Sequence, residues 1–93
     1  MKISKIEYDD LRNVARIATE DGQVISVALY RGSEEPTNIG ASGHVGYCIH
    51  GKTSDGFPCR IDFDFGTIEQ DSLDLYDWRL ESDDTEARLI VYA

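Results

Sequence analysis

Eight consecutive residues of this sequence, GYCIHGKT from Gly46 to Thr53, match the phosphate-binding pattern G-x-x-x-x-G-K-[ST]. Such a loop needs a curled backbone that points its N–H groups at the phosphates and a helix that begins directly after it. Here Gly56 and Pro58 stand where the first turns of that helix would form. The sequence therefore predicts strand and turn over 46–53, and no nucleotide binding.

A second set of reactive side chains overlaps the same segment. Cys48 and His50 are two positions apart, so on a strand they share a face, and His44 lies on that face too. The hairpin register derived below places Asp62 across from Cys48. Thiolate, imidazole and carboxylate are zinc ligands, and a Cys–His pair can also serve nucleophilic catalysis. Arg60 lies on the same face and is expected to pair with Asp62 or Asp64 and neutralise them. The preferred interpretation is therefore a solvated or partner-covered face without catalytic residues, metal or cofactor; metal binding and thiol catalysis are the alternatives.

The net charge of −9 comes from one segment of the chain. Ten acidic residues and one basic residue, Arg79, lie between Asp62 and Glu86, whereas the remaining residues hold eight acids and eight bases. An acidic surface repels nucleic acid and attracts basic partners. The residues predicted to bind a partner are Asp62, Asp64, Asp71, Asp74, Asp77, Glu81, Asp83, Asp84 and Glu86.

This charge pattern favours a small binding protein without catalytic activity, whose partner is a basic protein such as a nucleic-acid-acting enzyme. Its size and charge are those of several unrelated acidic inhibitors, including bacterial immunity proteins and phage-encoded anti-defence proteins. Carboxylates on one strand face repeat every ~6.6 Å, against one phosphate per ~3.4 Å along a DNA strand, so any mimicry of nucleic acid is coarse. Two alternatives remain: a metal- or thiol-dependent enzyme that uses the Cys48, His50 and Asp62 face, and a structural or assembly module whose acidity only keeps it soluble.

Apolar alternation sets the hairpin that positions these residues. If 54–56 is a three-residue loop with Gly56 left-handed, Ile49 faces Ile61 and Tyr47 faces Phe63. One face is then buried and apolar: Phe57, Cys59, Ile61, Phe63 and Phe65. Cys48 points to the opposite side, which argues against a disulfide bond with Cys59.

Two further hairpins complete the predicted fold. A loop over 20–22 pairs Ile17 with Ile25 and Ala15 with Val27. A loop over 82–85 pairs Trp78 with Leu89 and Tyr76 with Val91, although a helix starting at Thr67 is the alternative for 67–80. The segment 2–9 is predicted to be a strand whose Ile3 and Ile6 break strict alternation, and 31–44 a long loop.

The predicted fold is thus all-β, or α+β if 67–80 is helical: a small antiparallel sheet or partly open barrel of about six to seven strands, built from three hairpins. The 93 residues are expected to form a single domain. The sequence has no apolar run of about 18 residues and no secretory signal pattern, so the expected location is cytoplasmic, without membrane contact.

Overall fold

The computed structural model describes residues 1–37, 46–65 and 86–92, which form one antiparallel sheet and no helix. The seven strands are β1 (Ile3–Asp9), β2 (Val14–Thr19), β3 (Val24–Leu29), β4 (Glu35–Pro36), β5 (Gly46–Thr53), β6 (Pro58–Asp64) and β7 (Glu86–Val91). Their order across the sheet is β1-β2-β3-β5-β6-β7, and β4 pairs with β5. The predicted all-β class and the antiparallel sheet are confirmed. Within the described ranges, no helix is long and apolar enough to cross a membrane.

The predicted register of the β5–β6 hairpin is confirmed. Ile49 pairs with Ile61 and Tyr47 with Phe63, and Gly56 has a φ of 92° in the turn. Apolar alternation and the Asp-Gly turn agree on this register, because a slip of one residue would turn every inward side chain outward. The turn of the β2–β3 hairpin is built in the same way, with the predicted Ile17–Ile25 pair.

One residue of the predicted buried face is placed differently. Phe57 is 45% exposed, whereas the side chains of Cys59, Ile61, Phe63 and Phe65 are buried. Phe57 immediately follows the turn and precedes β6, so its side chain lies beyond the end of the packed face. Both cysteines are buried and free, in agreement with the predicted absence of a bond between them.

A β-bulge explains the irregular spacing of apolar residues in β1. Ile3 pairs with Thr19 but Lys5 pairs with Ala18, so β1 has one extra residue at this point. The extra residue brings Ile3 and Ile6 to the same side, where Ile3 is fully buried and Ile6 packs against the core. A spacing of three between apolar residues is therefore compatible with a strand at this position.

The outer strands β1 and β7 approach each other without closing the sheet into a barrel. A single isolated bridge joins Lys2 to Arg88, and the N–H of Leu89 donates to the carbonyl of Met1 at 2.8 Å. Leu89 pairs with Ile61 of β6 on its other side. The predicted Trp78–Leu89 pair involves Trp78, which lies outside the described residues. The predicted Tyr76–Val91 pair, the 82–85 loop and the strand or helix over 67–80 involve residues outside the described ones.

The core lies on one face of this curved sheet. Its buried members are Ile3, Ala15, Ile17, Val27, Leu29, Ile49, Cys59, Ile61, Phe63, Phe65, Ala87 and Leu89. Phe63 is fully buried and its ring stacks on that of Phe65, with 6.1 Å between the centroids. All strands except β4 contribute to this core, so it holds the whole sheet in one shape.

The motif that resembles a phosphate-binding loop is a strand along its whole length, because Gly46–Thr53 is β5. β5 pairs with β6 along one edge, and with β3 and then β4 along the other. Gly51 is the second glycine of the pattern, and a Cβ there would lie 2.5 Å from the carbonyl oxygen of Ala28. A close approach of β3 to β5 therefore accounts for this glycine, and the predicted strand is confirmed.

Candidate functional site

A tight turn before β4 brings that strand against β5. The N–H of Ser33 donates to the carbonyl of Tyr30 at 3.2 Å, and Gly32 has a φ of 80°. A left-handed residue at the third position is the requirement of a type II turn, which glycine meets without strain. The turn is then fixed to β5, because the N–H of His50 donates to the Ser33 hydroxyl at 3.0 Å and that of Tyr30 donates to the His50 carbonyl at 2.9 Å.

This arrangement places Glu35 directly opposite Cys48 and next to His50. Oε1 of Glu35 lies 3.2 Å from Nε2 of His50 and 3.6 Å from Sγ of Cys48. Sγ of Cys48 lies 3.8 Å from the same Nε2. We call these three residues the Glu35–Cys48–His50 cluster. It joins a thiol, an imidazole and a carboxylate from two strands, with one donor atom of each within 4.8 Å of the others.

The cluster has a buried side and an exposed side. Cys48 is 2% exposed, which differs from the wet face that the sequence predicts for it. The side chains of His50 and Glu35 are 37% and 62% exposed. The cluster is therefore anchored by the buried thiol, and its imidazole and carboxylate face solvent.

The surroundings of the cluster lower the pKa of Glu35 and raise the pKa of Cys48. Hydrogen bonds from His50 and Cys48 lower the pKa of Glu35 below its usual value. Burial raises the pKa of the Cys48 thiol, and the negative charge of Glu35 raises it further. At neutral pH the carboxylate is ionised and the thiol keeps its proton.

These properties disfavour the Cys–His catalytic pair considered from the sequence. A catalytic thiol is activated by a lowered pKa, whereas that of Cys48 is raised. A triad also needs the thiol and the carboxylate on different ring nitrogens of the histidine, so that one orients while the other accepts the proton. Here both approach Nε2 of His50.

Asp62 is not part of the cluster, although it pairs with Cys48 in the sheet as predicted. Its Oδ1 lies 2.8 Å from Nε of Arg60, and both atoms are buried without a hydrogen bond to any other described residue. The carboxylate expected to complete the site is thus paired with arginine, and Glu35 takes its place. His44, the other candidate ligand, lies outside the described residues.

The structure brings three of the predicted partner-binding acids together. Asp62 and Asp64 share a face of β6, and Glu86 is the direct partner of Asp64 on β7. They line one groove with Arg60 and Arg88, and Nη2 of Arg88 lies 3.4 Å from Oε2 of Glu86. The other six predicted residues lie outside the described ones: Asp71, Asp74, Asp77, Glu81, Asp83 and Asp84.

Sequence reasoning misses Glu35 because it assigns all of 31–44 to a loop. The usable signal is the Tyr30–Ser33 turn with its glycine, followed by Pro36, which is compatible with an edge strand that donates no hydrogen bond at that position.

Comparisons with known protein families, curated proteins and solved structures found no significant match to this chain.

Proposed function

We propose that this chain is a small acidic protein-binding module that occupies a basic surface of its partner, as an inhibitor or immunity-type protein does. The observation that carries the proposal is the segregation of charge. Residues 62–86 hold a net charge of −9, and the rest of the chain is neutral. Acidity that served only solubility would need no such concentration in one segment.

The described geometry supports the proposal because the two ends of this acidic segment lie side by side. Asp64 at the end of β6 faces Glu86 at the start of β7. Arg60 contacts Asp62 and Arg88 contacts Glu86, so these two acids are partly neutralised. The attraction for a basic partner is thus assigned mainly to the acids between Glu69 and Asp84.

The expected partner is a protein with a basic groove, and the nucleic-acid-binding surface of an enzyme has that charge. Complementary charge raises the association rate more than it raises the affinity of the final complex. The module itself performs no chemistry in this proposal. The Cys48 thiol with its raised pKa agrees with that assignment.

Salt dependence tests the proposal. Tagged protein is incubated with lysate at low and high salt, captured proteins are identified by mass spectrometry, and association with the purified partner is then timed across a salt series. We expect association to slow as the Debye length shrinks from about 10 Å at 0.1 M to about 3 Å at 1 M salt. A specific partner whose association is indifferent to salt would instead support the structural or assembly module with solubilising acidity.

A further inference from the structure

We propose that the Glu35–Cys48–His50 cluster is a binding site for one zinc ion, which joins β4 to β5. The proposal does not depend on the acidic segment or on the partner. Thiolate, imidazole and carboxylate are the three ligand types that zinc takes in proteins. Softer or harder ions fit less well, since all-thiolate sites suit copper(I) and all-oxygen sites suit magnesium and calcium.

The distances within the cluster are those of a tetrahedral zinc site. Zn–S bonds of about 2.3 Å and Zn–N and Zn–O bonds of about 2.0–2.2 Å, at tetrahedral angles, put the ligand atoms about 3.4–3.6 Å apart. The observed edges are 3.6 Å from sulfur to oxygen, 3.8 Å from sulfur to nitrogen and 3.2 Å from nitrogen to oxygen. An ion can therefore be accommodated with shifts of a few tenths of an ångström.

The strands fix the positions of the three ligand atoms. Cys48 and His50 alternate onto the same face of β5, and Glu35 stands opposite Cys48 on β4. The backbone of His50 is hydrogen-bonded to Ser33 on one side of the turn and to Tyr30 on the other. The ligand residues therefore lose little further conformational freedom when the ion binds, which favours high affinity.

The exposed side of the cluster leaves room for water as the fourth ligand. The side chains of His50 and Glu35 both face solvent. Water can therefore reach an ion that is held by these two side chains and by the buried sulfur of Cys48. Binding converts the Cys48 thiol to a thiolate and releases its proton to solvent. The apparent zinc affinity therefore rises with pH.

Metal titration distinguishes a zinc site from a hydrogen-bonded cluster that binds no metal. Chelator-treated full-length protein, freed of chelator, is titrated with zinc by calorimetry and with cobalt(II) by absorption. We expect one zinc per chain and a thiolate-to-cobalt charge-transfer band. No saturable zinc binding, or cobalt binding without that band, overturns the proposal.

Matched variants assign the ligands. Glu35→Gln and His50→Gln should each weaken zinc binding at least about tenfold, because even partners of metal ligands are worth about 10–100-fold. Glu34→Gln changes the exposed neighbouring acid and should leave the affinity unchanged.

Cys48→Ser should abolish the cobalt band, and Cys59→Ala should keep it. Equal affinity in Glu35→Gln and wild type, or loss of the band in Cys59→Ala alone, also overturns the proposal. If Cys48→Ser does not fold, the two glutamine variants, whose parent side chains face solvent, still decide the outcome.

Discussion

The turn between β2 and β3 shows how single side chains tune one another in this protein. The hydroxyl of Thr19 and the amide of Gln23 both donate to the carboxylate of Asp21. These hydrogen bonds favour the charged form, and that of Thr19 contributes most to lowering the pKa of Asp21. A buried threonine is thus linked to an exposed acid that closes the hairpin.

Thr19→Val should raise the pKa of Asp21 toward its ordinary value, and Thr19→Ser should keep it low because the hydroxyl remains. A lowered folded-state pKa stabilises the protein above the unfolded value, about 3.9 for aspartate, and this contribution is lost as the pH falls through the folded value. Carboxyl chemical shifts followed by NMR during acid titration measure the effect. A pKa of Asp21 that is the same in wild type and in Thr19→Val would contradict it.

Lys52 has the position of the phosphate-binding lysine in the GYCIHGKT pattern, but it lies in a strand. Its neighbours along β5 pair with other strands, so their N–H groups cannot converge on a phosphate. Titration with ATP or GTP and magnesium should therefore give no saturable binding by calorimetry. Micromolar binding that disappears in Lys52→Ala would show that the motif does bind nucleotide.

At the scale of strands, the sequence predicts what repeats locally. The Ile49–Ile61 and Tyr47–Phe63 pairs follow from apolar alternation around an Asp-Gly turn, since only one register buries all of these side chains together. β4 is not predicted from the sequence, because a strand of two residues is too short to show an alternating pattern. The contact of Met1 with Leu89 is not predicted either, because nothing in the local pattern links residues at opposite ends of the chain.

The same reasoning explains what could be predicted of the candidate site. Cys48 and His50 are placed on one face correctly, because strand alternation depends only on their spacing. Asp62, the third residue of the alternative metal set, is not part of the cluster, because Arg60 contacts it as the sequence predicts. Glu35 reaches the site through a turn whose contacts with β5 are tertiary.

Phe63 tests the β5–β6 register. Phe63→Ala removes a fully buried ring and should cost about 3–5 kcal/mol of unfolding free energy, measured by urea denaturation. In a domain of this size such a loss can prevent folding altogether, which NMR dispersion would reveal. Phe57→Ala is the matched control: its ring is 45% exposed, so the cost should be much smaller. A Phe63→Ala variant that melts within about two degrees of wild type would mean that the register is wrong.

For the molecule as a whole, the main feature is that the net charge of −9 lies in residues 62–86, whereas the rest of the chain is neutral. The ends of this segment meet where Asp64 faces Glu86. Charge that is concentrated in one segment can attract and orient a basic partner, whereas the same charge distributed evenly along the chain would only keep the protein soluble. The proposed function therefore depends on where the charge lies and not on its total.

The most direct test of this claim compares two charge reversals of equal size. Asp74, Asp77, Asp83 and Asp84 are changed to Lys in one variant; Asp10, Glu20, Glu34 and Asp55, exposed acids of the neutral remainder, are changed to Lys in the other. Each variant moves the net charge from −9 to −1, since four reversals add two units each. The second variant should fold, as surface substitutions usually cost within about 0.5 kcal/mol each.

The measurement is the association rate with the captured partner at low salt, with folding checked by circular dichroism. We expect the first variant to associate far more slowly than wild type and the second to stay close to it, because only the first removes charge from the binding segment. Equal slowing in both variants would mean that total charge and not its position matters. Wild-type rates in the first variant would contradict recognition by the acidic segment.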